Sequence, residues 1–385
     1  MPVNCRERVI ATLNHKEPDR IPLDLGGTIV SSITKNAYIS LKKYLGLETS
    51  EVKILDHVQQ LSYIDEGLLQ KLNVDIRMVS ADYNSDNEPQ YFKEGDYYCF
   101  YDRWGSKLCM PRKNGHYFDW VKFMINDISI KTLNKYRWPE LDSDMFISKL
   151  KEKAKYLYEN TAHALAGTAI FGGGVFEQPA RIMSMERFLI SIVLNEKFAN
   201  MAMEKITELY IENCERYLNE IGKYIQVFVY WNDITGQTAP LISPDTYRRL
   251  IKPKDKRIIE MVKSRTDAKF FYHCCGASGE FIPDFIEIGL DILNPVQPKC
   301  MDPQYLKKRY GKNLSFWGTI DIQETLPFGT PEKIENEVKN RIKNIGPGGG
   351  FIIGPTHNVQ IDTSIGNFFA FWNAVEKYRK YPIVI

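Results

Sequence analysis

Within the run Phe271-Tyr272-His273-Cys274-Cys275-Gly276, an imidazole and a thiol stand two residues apart at the end of an apolar stretch. If 269–273 is a strand, side chains two apart share a face, and His273 and Cys275 open into one pocket at its C-terminal mouth. That is half of a zinc site, because thiolate sulfur and neutral imidazole nitrogen are among this ion's preferred ligands. A second imidazole, His357, follows the stretch Gly348-Gly349-Gly350-Phe351-Ile352-Ile353-Gly354-Pro355-Thr356. Should both segments border the mouth of one closed barrel, His273, Cys275 and His357 can hold a single ion. One thiolate and two neutral imidazoles leave zinc with a net charge of about +1 and an open fourth position. Such an ion can activate a thiol or polarise an ether oxygen. Cys274 points the other way and reads as packing.

The elements that must position these groups are legible as alternation. Short β-rich runs fall at 20–25, 74–80, 164–171, 226–231, 269–273, 292–296, 314–318 and 351–354, and most are separated by stretches of helical length such as 244–264 and 330–345. Alternating β and α units with right-handed crossovers favour a parallel sheet, and eight of them predict an α/β fold closed as a TIM (β/α)8 barrel. The whole of 1–385 is expected to be one such domain. Residues 83–120 break the repeat: they are aromatic, polar and hairpin-like, and read as an insertion after the second strand that caps the barrel or docks a partner.

Barrel enzymes place their chemistry on the loops after the strands, so the strand ends supply the remaining candidates. They include Asp24, Asp75, Glu177 after Gly172-Gly173-Gly174, Asn232 and Asp233, Gln237, Asn294, Gln297 and Asn358. Glu177 and Asp233 are the catalytic candidates, against the alternatives that Glu177 holds Arg181 or a helix N-terminus and that Asp233 caps a turn. Asp24, Asn232, Gln237, Gln297 and Trp317 are the candidates for binding substrate. The Gly172–174 run lacks the spacing of a nucleotide fingerprint and reads as a strained turn or a close backbone approach.

With 385 residues, 44% of them hydrophobic and 12% aromatic, the chain can bury a large core. A net charge of +2, with Lys and Arg dispersed, argues against a nucleic-acid partner. There is neither an 18-residue apolar stretch nor the apolar core of a signal peptide, and a cytoplasmic location is expected. Seven scattered cysteines predict reduced thiols rather than a disulfide framework.

Three segments together resemble the uroporphyrinogen decarboxylase superfamily, and within it the cobalamin-dependent methyltransferase branch. They are Arg6-Glu7-Arg8-Val9 through Glu17-Pro18-Asp19-Arg20-Ile21-Pro22, then His273-Cys274-Cys275-Gly276 with Asp291-Ile292-Leu293-Asn294-Pro295-Val296-Gln297, and finally Gly346-Pro347-Gly348-Gly349-Gly350. The resemblance implies a TIM barrel and a zinc held by His-x-Cys and a later Cys, whose place His357 takes in this chain. It also implies methyl transfer between a small methylated or methoxylated compound and a corrinoid. An Asp-x-His-x-x-Gly cobalamin motif is not visible, so the corrinoid is expected on a partner protein. Exchanging a thiolate for a neutral imidazole makes the ion a stronger Lewis acid, which favours oxygen and hence O-demethylation. The alternatives are a metal-free tetrapyrrole decarboxylase, whose substrate loop would need arginines that 23–31 lacks, and a non-catalytic binder in which the triad is structural.

Overall fold

The computed structural model of the protein describes residues 3–80, 89–168 and 172–385. Its centre is a parallel sheet of seven strands: Ile76–Val79, Ala164–Gly167, Val227–Trp231, Lys269–His273, Ile292–Asn294, Ser315–Trp317 and Phe351–Ile352, hydrogen-bonded in chain order. Residues 169–171 of the expected strand 164–171 lie outside the described residues. The expected first strand at 20–25 is not a regular one. Leu23 forms an isolated parallel bridge to Ile353, and on its other side the Asp75 amide donates to the Leu23 carbonyl at 3.0 Å. This short segment closes the sheet into a barrel and supplies the eighth stave.

Alternation along the strands sorts the side chains. Ile76, Ala164, Ala166, Val227, Val229, Phe271, Ile292, Trp317 and Ile352 form one buried cluster inside the barrel, joined by Val9 and Leu13 of helix Cys5–Leu13. That helix plugs the end where the strands begin: Gly350 donates to Thr12, and Arg6 to Ala162. Intervening residues such as Phe228, Tyr230, Phe270, Tyr272 and Phe316 face outward into a second core shared with the surrounding helices. His273 has the parity of Phe271 and therefore points inward at the top layer.

Asp75 turns out to lie at the opposite end from the rim. It precedes its strand and gathers Arg8 at 2.6 Å, Arg20 at 2.9 Å and Arg379 at 3.3 Å. The expected helix at 244–264 divides into Pro244–Thr246, a π turn over Tyr247–Ile251 and Lys252–Arg265. Pro253 has no amide to donate, and the wide turn falls just before it.

Of the insertion, residues 83–88 lie outside the described residues. The remainder builds a four-stranded antiparallel sheet, Phe92–Glu94, Tyr97–Tyr101, Lys107–Pro111 and Asp119–Lys122, around Phe100, Leu108 and Phe118. It packs on helix Glu177–Met183 through the amides of Met124 and Ile125, which donate to Ile182. Cys99 and Cys109 lie directly opposite on neighbouring strands, 4.1 Å apart at Cα, and are disulfide-bonded. This corrects the expectation that the thiols are all reduced. Strand register placed this pair together, and cysteine counting cannot see register. No helix among the described residues is long and apolar enough to cross a membrane.

Candidate metal centre

His273 ends its strand between Trp231 and Asn294. Its Nδ1 meets Asn294 Oδ1 at 2.5 Å, while Asn294 Nδ2 donates to the Trp317 carbonyl at 2.7 Å. The carbonyl bond fixes which way the amide faces, so Asn294 oxygen must accept from His273. The imidazole consequently carries its proton on Nδ1 and presents the Nε2 lone pair to Cys275 Sγ, 3.2 Å away. Two ligands on one tetrahedral zinc stand roughly 3.5 Å apart, given bond lengths of about 2.0–2.3 Å.

Cys275 is pinned through its backbone. Its amide donates to Asp233 Oδ1 at 2.7 Å, its carbonyl accepts from Thr235 Oγ1, and the next amide, of Gly276, donates to Gln297 Oε1. Gly276 turns with φ +91°, and a Cβ there would lie 2.2 Å from the Gly236 carbonyl, so only glycine passes. His357 arrives from the loop after the last strand, its ring centroid 5.5 Å from that of His273. The ligand atoms of His273, Cys275 and His357 all lie within 4.8 Å of one another.

The electrostatics suit a cation. Burial lowers the His273 imidazole, and burial together with His273 pushes His357 down to about 3, so both rings keep a free lone pair. Burial, then Asp233, holds the Cys275 thiol well above its ordinary range. The Glu177 carboxyl is raised by burial although Arg181 is paired with it, and its Oε2 is buried without a partner among the described residues. Asp233 is also raised by burial, although 38% of its side chain faces the open mouth. A thiol that ionises reluctantly beside two neutral imidazoles forms a donor set whose cost a divalent ion would reverse.

The other expected site residues divide. Gln297 adjoins the centre through Gly276, and exposed Gln237 accepts from Gln297 at 3.3 Å and Gln323 at 3.1 Å. Three side chains are already engaged inside the protein. Trp317 Nε1 donates to Asp24 Oδ2 at 2.9 Å beneath the triad; both are buried, and burial pushes Asp24 up to about 6. Asn232 is fully buried and holds a turn: its Oδ1 accepts from the amides of Phe176 at 3.0 Å and Glu177 at 3.3 Å.

No spacing or motif announces the anchor behind that turn, Asp255, which sits amid the charged run Lys252-Pro253-Lys254-Asp255-Lys256. It is fully buried and accepts from Tyr230 and Tyr272 hydroxyls at 2.9 Å each, from Asn232 Nδ2 at 3.3 Å and from Tyr247 at 3.4 Å. Burial outweighs these bonds and raises its pKa from 3.8 to about 7. The folded state thus holds this proton more tightly than the unfolded chain, so the stabilisation is complete below pH about 4 and is lost as pH rises through about 7. A rise of about three units corresponds to a loss of up to about 4 kcal/mol. Asp255→Asn does not titrate, and the fall in melting temperature between pH 5 and pH 8 should shrink by half or more. Equal falls in variant and wild type would clear Asp255 of this role.

The structure is thus a parallel barrel with an imidazole–thiol–imidazole cluster at its C-terminal mouth whose three ligand atoms could hold one metal ion. Residues 105–378 match the model of the uroporphyrinogen decarboxylase (URO-D) family, and the chain belongs to that family. It is 26% identical over 140 residues to a methylated-thiol–coenzyme M methyltransferase of Methanosarcina mazei, an alignment covering 36% of this chain and 35% of the relative. The chain thus matches about a third of that relative's length. A solved methyltransferase from Methanosarcina mazei superposes with a TM-score of 0.64 over 97% of this chain and 99% of its own, at 14% identity. That likeness concerns the fold.

Proposed function

We propose that the protein is a zinc-dependent methyltransferase, acting on a small methylated and preferably methoxylated compound together with a corrinoid-carrying partner protein. The observation that carries this reading is the convergence of His273, Cys275 and His357 within 4.8 Å, with the His273 tautomer set by Asn294. Zinc bound by these three side chains would supply a Lewis acid with one neutral ligand more than a two-thiolate site has, suited to an oxygen donor.

The chain's own groups handle orientation and protons. Asn294 keeps the His273 lone pair aimed at the centre, and the bonds to Asp233, Thr235 and Gln297 keep Cys275 from swinging out. Glu177, whose carboxyl burial raises although Arg181 pairs with it and whose Oε2 has no partner among the described residues, is the group that would supply a proton to a leaving oxygen in this reading. In this reading the oxygen would keep both electrons of the broken C–O bond and take a proton from Glu177, and a reduced corrinoid on the partner would supply the electron pair that accepts the methyl group. Residues 83–120 form the cap of a single 1–385 domain in this reading. The arginines lend no support to tetrapyrrole decarboxylation: Arg8, Arg20 and Arg379 are spent on Asp75 at the far end, and Arg181 on Glu177.

The test is anaerobic methylation of reduced cobalamin, followed by absorbance, with a panel of methyl ethers and methyl thiols. Zinc loading should raise the rate by about a hundredfold or more, as expected for several kcal/mol of Lewis-acid stabilisation. Rates unchanged by zinc for every donor would rule the proposal out.

A further inference from the structure

Behind the helix that begins at Glu177 runs a second one, Met185-Glu186-Arg187-Phe188-Leu189-Ile190-Ser191-Ile192-Val193-Leu194, whose only polar residues are Glu186, Arg187 and Ser191. Its inner face is fully used. Phe188 and Ile192 are buried in the core between sheet and helices, and Phe188 meets Phe176 edge to face with centroids 5.2 Å apart. Ser191 Oγ donates to the Phe188 carbonyl at 2.6 Å, and Arg187 folds back to donate to the carbonyls of Met183 at 2.5 Å and Ile125 at 3.3 Å.

The outer face is just as apolar and lies open. Val193 is 80% exposed, Leu194 73%, Ile190 43% and Met185 37%. A helix that is apolar on all sides is expected to be covered on all sides, and a contiguous exposed apolar patch marks a contact surface. Each end of this patch carries one charge of opposite sign. Glu186 stands at its start, and Lys197 stands at its end, past the break at Asn195, in the first turn of helix Glu196–Ile221. Both are exposed, and neither is ion-paired among the described residues.

This order of residues is complementary to itself. Glu186, Ile190, Val193 and Lys197 follow at intervals of four, three and four, the spacing of a seam along which one helix packs on another. Placed antiparallel about a two-fold axis midway between Ile190 and Val193, the patch brings Ile190 onto Val193, Leu189 onto Leu194 and Glu186 onto Lys197, each contact occurring twice as in any isologous interface. A lipid surface would call instead for a rim of several cations, and the patch has one acid and one base. We infer that this face is the contact between two copies of the chain, paired antiparallel through helix Met185–Leu194. A single pair of short helices belongs to the small interfaces, so the dimer dissociates in roughly the micromolar range.

Sedimentation velocity on the full chain, from about 1 to 100 μM, reads the association. The mass should rise with concentration from 44.6 kDa toward twice that value. Val193→Glu, at a position too exposed to disturb folding, should weaken the dimer at least about a hundredfold, because each copy then buries an unpaired charge. Glu186→Lys and Lys197→Glu should each weaken it about tenfold, and the double variant Glu186→Lys/Lys197→Glu should return to within about threefold of wild type. A wild type that stays monomeric throughout, or a dimer indifferent to Val193→Glu, would overturn the inference. A double variant no tighter than either single change would overturn the antiparallel pairing. Monomer that sediments with phosphatidylcholine vesicles, and ceases to do so in Val193→Glu, would give the face to a lipid surface instead.

Discussion

Alanine at His273, Cys275 or His357 is expected to empty the metal centre. Protein purified without chelator should carry about one zinc per chain, the stoichiometry of a single three-ligand site. Each of the three variants should fall below about a tenth of that, because two remaining ligands do not hold the ion through purification. Cys275→Ala should be the most severe, since the thiolate is the only one of the three ligands that brings negative charge. Asn294→Ala leaves all ligands in place and frees the His273 ring to rotate or change tautomer, so zinc affinity should drop roughly 10–100-fold without being abolished. Elemental analysis and competition with a chromophoric chelator read both effects. A His357→Ala protein that keeps full zinc would remove the third ligand from the assignment, and a wild type that takes up no zinc on reconstitution would remove the centre altogether.

A comparably large effect on stability is expected at the other end of the barrel. Asp75 is fully buried and balances Arg8 and Arg379, themselves 3% and 1% exposed, together with Arg20. Its Oδ2 also accepts the Leu23 amide at 2.9 Å, so the same carboxylate fastens the closing stave. Burial drives its pKa up, but Arg20, Arg379 and Arg8 prevail and hold it below the usual range. A depressed carboxylate contributes above its unfolded pKa and loses that contribution as pH falls through the folded one. Removing one partner of a buried ionic group strands the others, at about 3–5 kcal/mol. Asp75→Ala should therefore lower the unfolding free energy read from urea titration by an amount in that range at pH 7, and the gap to wild type should narrow in acid. A shift worth less than about 1 kcal/mol would show that solvent reaches these guanidiniums after all.

How much of this was legible beforehand depends on whether the signal was local. Seven of the eight staves follow from apolar β-rich runs, and the His273/Cys275 pairing follows from the two-residue period of a strand. His357 could be joined to them only by assuming closure, which is a property of the whole barrel. The stave at 20–25 was over-read as a regular strand because its pairing is reduced to a bridge and a few amide bonds. Asn232 looked like a rim residue and is instead absorbed by the 172–177 turn, since the backbone amides left over at that loop needed an acceptor. Asp255 and the Cys99–Cys109 bond were invisible for a related reason: each depends on which segments pack together, and neither has a spacing that announces it.

The closing stave also sets the order of events in synthesis. Ile21 donates to the Arg379 carbonyl, Tyr381 donates to Asp19, and Arg20 bridges Lys380, so this segment is locked by one some 360 positions further along the chain. Until strand Phe351–Ile352 and Ile353 are available, the stave around Leu23 pairs on one side only, with Asp75, and the sheet has two bare edges, at that stave and at whichever strand emerged last. The nascent sheet is thus an open, sticky ribbon until its last strand meets the Leu23 stave, and it becomes a barrel in that one step.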